Sequence, residues 1–127
     1  MIDVSDLIGL SYQRMNCWDC ARTVLNRCGT IVPDVFGSYT QIQAKLDQGT
    51  NTEAWLHALF GQWKPLPAPV PGCALAFQDV DGAAVHIGVM VDADRFVHST
   101  RHAGVVLTRL DREPWATRLM GAYGFTA

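Results

Sequence analysis

Three side chains in this sequence, Cys17, His86 and His98, have the types and spacing for covalent catalysis. A thiolate attacks, an imidazole takes the thiol proton, and a third polar group orients the imidazole. That is the logic of an activated-nucleophile triad, which is recognised by roles and not by chain order. Cys17 stands in Asn16-Cys17-Trp18-Asp19-Cys20-Ala21-Arg22, a stretch that reads as the opening turn of a helix. Asn16 is a capping type, Asp19 is placed to complete a box-like cap, and Cys17 falls at the first helical position. The partial positive charge of a helix start favours thiolate over thiol, so a reactive sulfur is expected there.

The two histidines belong to strand-like sequence. In Val85-His86-Ile87-Gly88-Val89-Met90-Val91, alternation puts His86, Gly88 and Met90 on one face and the β-branched residues on the other. A hairpin loop at 92–94 pairs Val91 with Arg95 and sets Gly88 opposite His98. His86 is then one diagonal step from His98 on the same face, whereas a one-residue slip would separate them.

The elements that must position these groups fall into two halves. Val4 to Leu10 reads as a short helix, and Ser11 to Met15 links it to the Asn16 cap. From Cys17 to Cys28 the positions Cys17, Cys20, Ala21, Val24, Leu25 and Cys28 follow helical spacing, with Gly29 as terminator. Ile31 to Asp34 is expected to be extended. Ser38 to Leu46 and Thr52 to Phe60 are expected helices, with Trp55, Leu59 and Trp63 marking the buried side of the second. Pro65 to Gly72 can be neither helix nor central strand. Strands are then expected at 73–78, 85–91, 95–99, 104–108 and 119–125, separated by turns at Asp79 to Gly82, Asp92 to Asp94 and Arg101 to Ala103. Helices followed by an antiparallel meander make an α+β domain with the N-terminal helices on one face of the sheet. One domain over 1–127 is expected, with a helical part at about 1–63, a Pro-rich linker at 64–72 and a sheet part at 73–127.

Composition narrows the function classes. With 127 residues, 49% of them hydrophobic, the chain can bury one core but not two. The net charge of -2, with Lys45 and Lys64 as the only lysines, argues against nucleic acid or a polybasic membrane patch as partner. No apolar run reaches membrane-spanning length, and Met1 to Asp6 lacks the basic start of a secretory signal. The expectation is synthesis in the cytoplasm, with any work outside it requiring delivery. Four cysteines, three of them in one helix, read mostly as thiols.

With these residues in view, the chain resembles the NlpC-type cell-wall cysteine peptidases, a bacterial branch of the papain-like fold. The family's Asp-Cys-Trp-Gly-Leu-Val-Arg motif, in its phage-tail members, is matched by Asn16 to Arg22. Its Pro-Gly-Asp stretch is matched by Pro71-Gly72-Cys73-Ala74-Leu75-Ala76-Phe77. Its His-Val-Gly-Ile-Tyr segment with a following His is matched by His86-Ile87-Gly88-Val89-Met90 and Phe96-Val97-His98. The resemblance runs from about Asp6 to Phe125. Asn16 in place of the aspartate, Asp19-Cys20-Ala21 in place of Gly-Leu-Val, and Cys73 in place of an acidic residue depart from it.

The resemblance implies Cys17 as nucleophile, His86 as base and His98 as the orienting member. Tyr12 is implied to line the site, and Trp18 stands beside it as a substrate contact or a packing residue. It implies hydrolysis of peptidoglycan stem peptides through a thioester, without metal or cofactor. The short chain and motif variant suggest phage-tail proteins as partners, acting at the wall after delivery by a virion tail or a secretion apparatus. Other readings remain beside this one. Cys17 could be a buried structural thiol, Cys17 and Cys20 a redox pair, or the cysteines and histidines a zinc site. The whole chain could be a silent tail-assembly or interaction module with the same fold. His57 and His102 are expected to have no role, and Trp55, Trp63 and Trp115 to be core or groove wall.

Overall fold

Asn16 starts the principal helix in the way its residue type suggests. The computed structural model describes residues 2–29, 63–78 and 85–125. Asn16 is extended, and its Oδ1 accepts the Asp19 backbone N–H at 2.9 Å, which opens helix α1 over Cys17–Arg27. Cys17, Cys20, Ala21, Val24 and Leu25 form its buried stripe. Gly29 lies just past its end at φ +84, a conformation that suits glycine.

Six antiparallel strands follow: β1 (Trp63–Leu66), β2 (Ala74–Gln78), β3 (Val85–Met90), β4 (Arg95–Thr100), β5 (Gly104–Arg109) and β6 (Leu119–Phe125), with a short helix α2 (Trp115–Arg118) before the last. The sheet order is β1-β6-β2-β3-β4-β5. The expected meander therefore holds from β2 to β5, but β6 crosses back to pair with β2. Two further expectations need correction. Part of the Pro-rich stretch is strand: Pro65 lies in β1 at the sheet edge, where a missing N–H is tolerated. Trp63 opens that strand and does not mark a helix face.

The expected helix over Val4 to Leu10 is instead a run of turns, with bonds such as Leu7 N–H to the Val4 carbonyl. Seven residues are too few to propagate a helix unaided, and here the backbone has other partners. Ile2 N–H bonds to the Val91 carbonyl, Gly9 N–H to that of Val105, and Val105 N–H to that of Leu10. This strap occupies part of the outer edge of β5, while Val4 and Leu7 bury beneath it and Asp6 forms a two-point ion pair with Arg27. With that edge partly taken, the returning chain pairs on the other side of the sheet. The expected segments at 31–34, 38–46 and 52–60, the turn at 79–82, and His57 and Trp55 lie outside the described residues.

Both faces of the sheet are covered. One face, through Ala74, Ala76, Ile87, Val89, Val91, Val97 and Val105, packs against α1, Val4 and Leu7. The other carries Cys73, Leu75, Phe77, Met90, Phe96 and Ala122, with Trp115, Leu110 and Leu119 packed on them.

The strap dictates one glycine. Gly104 has φ +70, and a Cβ there would collide with the Leu10 backbone, whereas at Gly29 (φ +84) a Cβ meets nothing within 4 Å. Gly29→Ala should cost about 1 kcal/mol of conformational strain and Gly104→Ala clearly more, about 2 kcal/mol or above. Urea midpoints of the two variants measure this, and equal losses would show that the strap does not hold β5.

Candidate active site

The β3–β4 hairpin has the register expected from its loop, with Val89 opposite Val97 and Met90 opposite Phe96. His86 and His98 consequently share a face, and His86 Nε2 lies 2.8 Å from His98 Nδ1. The far nitrogen of His98, Nε2, lies 2.9 Å from the Thr108 hydroxyl. Thr108 sits on β5 opposite Phe96, which makes it the diagonal neighbour of His98 on that face. The result is a line of polar groups, His86 to His98 to Thr108, across three adjacent strands.

Aromatic rings wall this line. Phe77 and Phe96 stack with centroids 5.0 Å apart, and Trp115 meets His98 edge-on at 4.7 Å and lies 5.3 Å from His86. Gly88, between His86 and Met90 on this face, makes room for Phe96: a Cβ on it would stand 2.8 Å from that ring.

The wall sets the electrostatics. His98 is 1% exposed. Burial first, and the neighbouring His86 second, push its pKa down from 6.5 to about 3, so it is neutral and carries one ring proton.

Cys17 is placed differently. It begins α1 as expected, but it is 2% exposed and belongs to the core between α1 and the opposite face of the sheet. The Ile87 backbone N–H and those of Trp18 and Cys17 favour its thiolate, yet burial outweighs them and raises the thiol from 9.0 to about 12. That rise corresponds to about 4 kcal/mol in favour of the neutral thiol, whereas a helix start is worth about 1 kcal/mol to an anion. The expected activation by the helix start is therefore overridden by desolvation. The structure brings His86 and His98 together, and it sets Cys17 on the α1 side of β3 against the backbone N–H of Ile87, the residue next to His86.

The remaining candidates fall on the α1 side or near it. Trp18 packs against the first core, and Tyr12 is half-buried in the turn before α1. Cys20 is fully buried and Cys28 partly so, as their helical positions suggest, and all four cysteines are free thiols. Among the described residues no three of His, Cys, Asp and Glu converge to hold a metal ion.

Thr108 is the residue that sequence reasoning left unassigned to the site, whereas Trp115, expected to be core or groove wall, is part of the wall around the histidines. A signal for Thr108 existed: the three-residue turn at 101–103 sets Thr100 opposite Gly104, and continuing that register brings position 108 opposite 96. For Trp115 the residue type gave the wall role, but the single turn of α2 follows no periodic pattern that would say which groups it covers.

The arrangement is an α+β fold, a helix packed on a six-stranded antiparallel sheet. It is similar to the crystal structure of a Staphylococcus aureus subsp. aureus Mu50 protein described as "similar to lipoprotein, NLP/P60 family". The match has a TM-score of 0.61 at 16% identity over 96% of this chain. This chain spans 38% of that protein's length. No protein-family model and no curated protein matches the sequence. The fold expected from the sequence motifs is thus the fold observed.

The buried imidazole has a measurable consequence. The folded value of His98, about 3, lies below the 6.5 of the unfolded chain, so the unfolded state takes up the proton first. Its contribution to stability is full above pH 6.5 and is lost as pH falls toward 3. Wild type should lose more stability between pH 7.5 and 4.5 than His98→Asn does, read as the shift in urea midpoint. Equal shifts would mean that His98 is solvated.

Proposed function

We propose that this chain is a cysteine hydrolase that cleaves amide bonds of peptidoglycan stem peptides through a thioester on Cys17. The observation that carries the reading is the 2.8 Å contact between His86 and His98. In this reading it orients the base through Nε2 and leaves Nδ1 of His86 for proton abstraction. The similarity in fold to an NLP/P60-family protein supports the same reading.

In this reading His86 Nδ1 takes the Cys17 proton and the sulfur attacks the carbonyl carbon. The Cys17 backbone N–H at the helix start stabilises the oxyanion. The proton passes to the departing amine, and water, deprotonated by His86, hydrolyses the thioester to release the acid and the thiol. The reaction requires the Cys17 sulfur to reach His86, and Cys17 stands against the backbone N–H of the next residue, Ile87. Delivery to the wall by a phage tail or a secretion apparatus is part of the proposal and rests on the motif variant alone.

A second reading is favoured by one observation, the burial of Cys17 in the core beneath α1. Under it the chain is a silent interaction or tail-assembly module on the same fold. Muropeptide digestion followed by mass spectrometry separates the two. The hydrolase reading expects new cleavage products with wild type and none with Cys17→Ala or His86→Ala, while circular dichroism stays unchanged. Absence of products with wild type, together with Cys17 inert to iodoacetamide in the presence of substrate, would establish the silent module.

A further inference from the structure

Resting on the hydrolase reading, we propose that Thr108 is a positioning residue whose hydroxyl accepts the Nε2–H of His98. This bond holds His98 in the tautomer that offers Nδ1 as an acceptor to the Nε2–H of His86.

The argument is a count of protons along a line of fixed contacts. His98 is neutral, so one of its nitrogens carries a proton and the other a lone pair. Two settings fit the two distances of 2.8 and 2.9 Å. In the first, the Thr108 hydroxyl donates to His98 Nε2, and His98 Nδ1–H donates to His86 Nε2. Neutral His86 then holds its proton on Nδ1, the nitrogen that must act as base. Protonating His86 further would place two N–H groups face to face at 2.8 Å. In the second, every proton is reversed: His86 Nε2–H donates to His98 Nδ1, and His98 Nε2–H donates to Thr108 Oγ1. His86 Nδ1 then has the lone pair, and its uptake of a proton leaves both hydrogen bonds intact. Only the second setting is compatible with a base, and it needs an acceptor at His98 Nε2.

Thr108 Oγ1 is that acceptor and the one polar partner of Nε2 among the described residues. Phe96, at 4.4 Å, and Trp115, at 4.7 Å, cover the His98 ring. A buried N–H left without a partner forfeits its hydrogen bond to water with nothing in exchange, a cost large enough to reverse a tautomer preference. The hydroxyl therefore reaches the base only through His98, and a serine in its place would serve equally.

Imidazole nitrogen NMR on histidine-labelled protein tests this without relying on activity. Wild type should show His98 with a protonated Nε2 and an unprotonated Nδ1. Thr108→Val, which keeps the shape and removes the oxygen, should convert His98 wholly or partly to the Nδ1–H form, and Thr108→Ser should restore the wild-type pattern. On muropeptides, Thr108→Val should lower kcat about tenfold or more with KM little changed, and Thr108→Ser should recover it. A wild-type His98 protonated at Nδ1, or a valine variant with an unaltered His98 spectrum, would overturn the proposal. If wild type fails to cleave muropeptides, the hydrolase reading falls while the spectra still decide the role of Thr108. If the valine variant does not fold, the wild-type and serine spectra decide it alone.

Discussion

The hairpin register between β3 and β4 is the constraint on which the rest depends. Asp92 pins it: its Oδ1 accepts from Asp94 N–H at 2.9 Å and Arg95 N–H at 2.8 Å, its Oδ2 accepts from Arg95 Nε at 2.9 Å, and Val91 N–H closes onto the Arg95 carbonyl at 3.0 Å. An Asx turn of this kind suits a short loop because the side chain satisfies backbone donors that the hairpin leaves over. Strand side chains alternate with a period of two, so this one choice decides the face of every residue on both strands. It delivers Ile87, Val89 and Val97 to α1 and His86, Phe96 and His98 to the aromatic layer.

Desolvation then acts on both halves of the candidate chemistry in the same sense. Cys17 and His98 are each almost wholly buried, and each is held in its neutral form. The effects on function are opposite. A neutral thiol is a poor nucleophile, whereas a neutral imidazole is what an orienting acceptor should be. His98 thus has the environment its role demands, while Cys17 has that of a core residue and needs a partner to draw its proton away. Local rules such as the charge at a helix start are too weak to prevail against burial of this depth.

The polar line from His86 to Thr108 also explains why the second face of the sheet is aromatic. Rings offer large apolar area with electropositive edges, and Trp115 stands nearly perpendicular to His98 while lying tilted against His86. A single-turn helix carries that indole, and Arg118 on its last position sits 6.0 Å from the indole ring. Fold and site are here the same packing problem, because the rings that fill the second core are the ones in contact with the imidazoles.

By itself the sequence determined the features that depend on neighbours in the chain. These are the Asn16 cap and span of α1, the Asp92 hairpin, the shared face of His86 and His98, and the positions of the five strands after Gly72. Each rests on capping, turn chemistry or alternation, which act over a few residues. Tertiary structure decided what those rules do not reach. Residues 4–10 became a strap because strand-edge partners at Val91 and Val105 outcompeted a helix too short to sustain itself. β6 entered beside β2 because the strap had partly taken the β5 edge. Thr108 and Trp115 joined the histidines only when distant strands and a one-turn helix were stacked together. Cys17 ended almost wholly buried because a helix start specifies a cap but not how deeply it packs on the sheet.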